Sequence, residues 1–118
     1  MYGLPPDLDL NFLSGKSLLQ ICVGVHDLIL NFDRSVSITV TSSIGCAIAG
    51  GPHRKFEDFR QAAAVAVVLL YQTVTSAKGD ADGTLSMEFH DGGHLDIYDD
   101  SKEYESYTIR HGEKLFVV

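Results

Sequence analysis

The segment LILNFDRSVSITV, residues 28–40, alternates apolar and polar side chains on either side of a short polar break, and this period of two constrains the fold more than any other feature. Leu28, Leu30 and Phe32 share one face, Val36, Ile38 and Val40 do so after the break, and Asp33-Arg34-Ser35 turns between them. A strand buries every second side chain, so the pattern is a hairpin with one face against a core. Before it, Lys16 to Val25 reads as a strand and His26-Asp27 as its turn; after it, SIGCAIAGGP runs extended to Gly50-Gly51-Pro52. The C-terminal part alternates again, in TLSMEF, HLDIYD, YESYTIR and KLFVV. LILNF-DRS-VSITV can be laid over LSMEFHDGGHLDIY, matching Phe32 with Phe89, Val36 with Leu95 and Ile38 with Ile97. An internal duplication produces such a match, and so do two short hairpins by chance.

Between these regions the period changes to 3.6. From Lys55 to about Ala77, Phe56, Phe59, Ala63, Val67, Leu70, Tyr71 and Val74 fall on one side, which predicts a single helix of about six turns ending at GDADG. The expected fold class is α+β: an antiparallel sheet of two hairpin or meander halves, with one long helix packed on one face and residues 1–118 forming a single domain. The opposite side of such a helix carries Val65, Val68 and Leu69 between polar ends. An apolar patch rimmed by polar groups predicts a homodimer interface, unless GLPPDLDLNFL from the same chain covers it.

Composition narrows the function. A formal net charge of −7 with only nine Lys and Arg disfavours nucleic-acid binding, which draws its affinity from cations that displace counterions. The longest apolar run, AAAVAVVLLY at 62–71, is half of the ~20 residues a membrane span needs. MYGLPPDLDL lacks the basic and apolar regions of a signal peptide, and Cys22 and Cys46 lie in apolar segments as buried thiols would in a reducing compartment. A cytoplasmic location is therefore expected.

Three places invite a chemical reading. In EFHDGGHLDI, pairing Phe89 with Leu95 leaves Asp91-Gly92-Gly93 as a three-residue loop and sets His90 opposite His94, so that His90, His94 and Asp91 are a weak metal candidate lacking a fourth ligand. No metal or other cofactor is expected on this basis. DADG at 80–83 resembles a calcium loop, but its end positions would be Lys78 and Phe89, which rules that chemistry out; Asp99 to Glu103 reads as a solvated loop. In YESYTI, Glu105 shares a face with Tyr107 and Ile109, so a core-facing Ile109 makes Glu105 a partly buried carboxylate in need of a donor. There is no Gly-x-Ser-x-Gly elbow and no cysteine–histidine motif, so no catalytic residue is assigned.

GTLSMEFHDGGHLDIYDDSKEYESYTI resembles the pattern G-x-L-x-x-x-F-x-D-G-x-x-L-x-I, an acidic spacer, then Tyr-Glu-Ser-(Tyr/Trp)-x-Ile, of a domain-of-unknown-function family of small bacterial proteins. It is also similar to some integron-cassette products and toxin-immunity proteins. The resemblance implies no catalytic residues. Together these readings predict a non-enzymatic bacterial interaction module, accessory, adaptor or immunity-like, whose acidic surface suits a basic protein partner. The alternative is a small-ligand binder or minor enzyme with a pocket near Glu105, Tyr104 and Tyr107.

Overall fold

The computed structural model describes residue 4, residues 8–101 and residues 105–118. They form two five-stranded antiparallel sheets and one short helix. The chain makes a 3-10 turn (Leu10–Leu13), then β1 (Leu18–Val23), β2 (Leu28–Phe32), β3 (Val36–Val40), β4 (Ile44–Ala47) and β5 (Arg54–Phe56). After α1 (Phe59–Ala66) and a 3-10 turn (Val67–Leu69) come β6 (Val74–Gly79), β7 (Leu85–Phe89), β8 (His94–Ile97), β9 (Tyr107–His111) and β10 (Lys114–Val117). The first sheet is ordered β1-β2-β3-β9-β10 and the second β5-β4-β8-β7-β6.

The hairpin of residues 28–40 forms in the expected register, Phe32 opposite Val36 and Leu28 opposite Val40, with Arg34 and Ser35 at positive φ in the loop. Its core face is Leu28, Leu30, Phe32, Val36, Ile38 and Val40, all buried. The expected long helix and single sheet are corrected. Asp58 caps α1 by accepting from the Arg60 amide, so residues 54–56 remain outside it and pair as β5 with β4. At the other end the β-branched run Thr73-Val74-Thr75 leads into β6, which pairs with β7. Between them Tyr71 turns the chain at φ 70. The buried stripe of the helical segment is Phe59, Ala62, Ala66 and Leu69. Leu69 therefore belongs to the core and not to an outer face; Val65 is half-buried and Val68 is 54% exposed. The N-terminal 3-10 turn packs on β6.

The two halves repeat the same pairings. In each, a three-strand meander (β1-β2-β3 or β6-β7-β8) is followed by a hairpin (β4-β5 or β9-β10), and each meander completes its sheet with the hairpin of the other half. The correspondence extends to detail. Both first pairs bulge after their first residue, at Leu18/Gln20 and at Val74/Ser76. Leu18 N donates to Gln72 O and Val74 N donates to Lys16 O, so the halves meet in a reciprocal bridge where Ser17 Oγ lies 3.0 Å from Thr73 Oγ1. The sequence overlay needs one adjustment. Phe32 corresponds to Phe89, but Ile38 corresponds to Leu95 and Val40 to Ile97, because the second loop closes between Phe89 and Gly93. The inner faces of both sheets share one contiguous core.

Candidate functional site

Strand parity determines which residues of the second sheet face outward. Leu85, Met87, Phe89, Leu95 and Ile97 are buried, so Ser86 and Glu88 of β7 and His94 and Asp96 of β8 point away from the core. One cross-strand row on this outer face reads Lys55, Gly45, Asp96, Ser86, Lys78. Asp96 is its centre, with a side chain only 13% exposed. Ser86 Oγ donates to Asp96 Oδ1 at 2.6 Å, His94 Nε2 lies 2.8 Å from the same oxygen, and His53 Nε2 lies 2.8 Å from Asp96 Oδ2. Glu88, opposite His94, places Oε1 2.6 Å from His94 Nδ1. His53 reaches over the sheet from the stretch before β5. It can do so because Gly45 has no side chain: a Cβ there would stand 2.7 Å from the His53 ring and 2.5 Å from the Tyr98 hydroxyl. Among the described residues, His53, His94 and Asp96 form the one group of three metal-ligating side chains, their ligand atoms within 4.8 Å of one another.

Carboxylates dominate the field around this face. Burial raises the Tyr98 hydroxyl above its usual pKa, and the charges of Asp96, Asp100 and Asp82 raise it further. Burial likewise raises Tyr107, reinforced by Asp99 and Asp82. Asp100 shows the opposite balance: burial pushes its carboxyl up, but the Ser43 hydroxyl and Lys55 together hold it below the ordinary carboxylate value. Lys55 Nζ sits 3.1 Å from Asp100 and 4.8 Å from the centroid of the Tyr98 ring.

A model of a known protein family matches residues 9–118, nearly the whole chain. The chain belongs to the DUF6188 family, described as a family of unknown function. No curated protein and no solved structure matches it. Membership in DUF6188 agrees with the domain-of-unknown-function resemblance and supplies no ligand, so the candidate site of this DUF6188 chain rests on its own geometry.

That geometry redistributes the residues expected from sequence. His94 is in the cluster, but His90 and Asp91 are not. The loop is His90-Asp91-Gly92, one residue earlier than expected, with Gly92 at φ 91 and Gly92 N donating to Phe89 O. Glu88, not His90, therefore faces His94. Asp91 spends its carboxylate on the Gly93 amide at 2.8 Å, and His90 is exposed. Of the residues expected to line a pocket, Glu105 and Tyr107 are described. Tyr107 is fully buried and donates to Gly83 O at 2.7 Å, and Glu105 precedes β9 and is exposed. Tyr104 lies outside the described residues. Asp99 and Asp100 are pins and not merely a solvated loop: Asp99 accepts from Ser106 Oγ and Asp100 from Ser43 Oγ. Cys46 is buried as expected, whereas Cys22 is half-buried on the outer face of the first sheet. His53 and Gly45 carried no sequence signal; the alternate spacing of His94 and Asp96 on a strand was the one legible cue.

Proposed function

We propose that this protein is a non-enzymatic interaction module of a bacterial cytoplasm, adaptor or immunity-like, that receives a basic protein partner on the outer face of its second sheet. The observation that supports this reading is the gathering of Glu88, Asp96, Asp82 and Asp100 on and beside that face, against Lys55 and Lys78. Charge complementarity of this kind steers encounter and orients the partner more than it adds raw affinity. No helix of the described residues is long and apolar enough to cross a membrane. Pairing of two copies through Val65 and the exposed Val68 is a further part of the proposal, with Leu69 withdrawn from that surface. A small-ligand reading finds a place away from Glu105 and Tyr107, in the open groove of about 660 Å³ lined by Val23, Val25, Asp58, Phe59 and Arg60.

The test is fluorescence anisotropy with a labelled lysine-rich peptide, in EDTA. Binding should weaken about tenfold or more between about 50 mM and about 300 mM salt, because an exposed charged surface is screened. It should be lost in Asp82→Lys/Glu88→Lys, both exposed positions. Absence of binding at low salt, or a double variant that binds like the wild type, would contradict the reading.

A further inference from the structure

The geometry points to a binding site for one divalent transition-metal ion, of the zinc class, held by His53, His94 and Asp96. This inference goes beyond partner binding and does not require a partner. Two imidazole nitrogens and a carboxylate are the donors that zinc and its neighbours in the first transition row accept, whereas calcium and magnesium prefer all-oxygen shells. Tetrahedral zinc places its ligand atoms ~3.3 Å apart. Here one ring nitrogen of each histidine and an Asp96 oxygen lie within 4.8 Å of one another, so a small contraction of the cluster would bring them to that spacing.

Two features beyond the cluster itself support the assignment. The first is orientation. Glu88 engages His94 Nδ1 at 2.6 Å, which turns Nε2, here 2.8 Å from Asp96 Oδ1, toward the place of the ion, and Ser86 donates to the same oxygen at 2.6 Å. Outer partners of this kind fix the ring tautomer and the carboxylate angle in metal centres. The second is the internal control that the repeated halves provide. The positions of the first sheet that correspond to His94, Asp96, Glu88, Ser86, Gly45 and His53 are Ser37, Thr39, Asn31, Ile29, Thr108 and Leu115, obtained by matching the cross-strand registers. None is charged and none is histidine, so the fold does not itself demand this cluster. Three protein ligands leave a position open on the solvent side, where the His53 side chain is 42% exposed.

The test uses the full, tag-free chain stripped with EDTA and titrated with Co²⁺, then Zn²⁺. One equivalent of Co²⁺ should bind with visible d–d absorption and be displaced by Zn²⁺, and Zn²⁺ should raise the melting midpoint, while Ca²⁺ and Mg²⁺ do neither. His53→Ala, at an exposed turn, should keep the circular dichroism spectrum of the wild type and lose affinity by ~100-fold, as should His94→Ala; Glu88→Gln should lose ~10-fold. His90→Ala should change nothing. The inference is overturned by the lack of a saturable single site, by His53→Ala and His94→Ala binding like the wild type, or by His90→Ala losing as much as they do. Because the peptide assay runs in EDTA, failure here leaves the partner reading standing, and failure there leaves the metal site standing.

Discussion

Cys46 shows how the core and the outer face communicate at a single residue. Its thiol lies on the core side of β4, is raised to about 11 chiefly by burial, and is raised further by the charge of Asp96 across the sheet. The folded state therefore favours the protonated thiol. Stability is unaffected below the ordinary value of 9.0 and falls as pH climbs from there to about 11, because the unfolded chain ionises first. Alkaline denaturation followed by circular dichroism should show this loss in the wild type and a smaller one in Cys46→Ala; identical pH profiles would mean that Cys46 is not desolvated. Much at this scale was legible from the chain, including the burial of Cys46 and of Leu28, Leu30, Phe32, Val36, Ile38 and Val40. The seat of His53 was not. It depends on the missing Cβ of Gly45, which is distant in sequence and paired only through the sheet. Glu105 misled because alternation was extended two residues beyond the start of β9.

At the level of elements, the segment after Phe56 is where local pattern and tertiary pairing disagree. Read alone, its apolar spacing suits one helix from Lys55 to Ala77; in the fold, helical structure runs from Phe59 to Leu69, and its two ends enter β5 and β6. The difference reassigns faces, and it has a measurable consequence. In protein dilute enough to be monomeric, Leu69→Ala should destabilise the fold by ~2–5 kcal/mol, since Leu69 is fully buried, while Val68→Ala should change stability by no more than about 0.5 kcal/mol. Urea unfolding of the two variants decides between the arrangements, because a helix that presents Leu69 outward would make the two costs alike. The hairpins were read more reliably for a physical reason. In β7-β8 the loop moved by one residue at each end, so Met87 rather than Phe89 faces Leu95, yet the same residues stay on the core face. Such a shift preserves parity, so the core was recovered while the neighbour of His94 was mistaken.

For the whole molecule, the exchange of hairpins between the halves means that neither half holds a complete sheet from its own residues. The sequence hinted at this through Phe32 and Phe89, but the decisive contacts, β3 with β9 and β4 with β8, join distant segments that no local period reveals. The same exchange yields two outer faces of matching strand order and different side chains. That of the second sheet carries Glu88, His94 and Asp96, and that of the first carries Asn31, Ser37 and Thr39. If the proposed partner docks on the second sheet alone, amide shift mapping should localise the contact there. Isotope-labelled protein should be titrated in EDTA with the lysine-rich peptide and followed by two-dimensional ¹H–¹⁵N correlation. Shifts should be concentrated at Gly45, Lys55, Ser86, Glu88, His94, Asp96 and Tyr98, with Ile29, Asn31, Ser37, Thr39 and Thr108 unmoved. Shifts of equal size on both sheets, or shifts on the first sheet alone, would contradict docking on the second sheet.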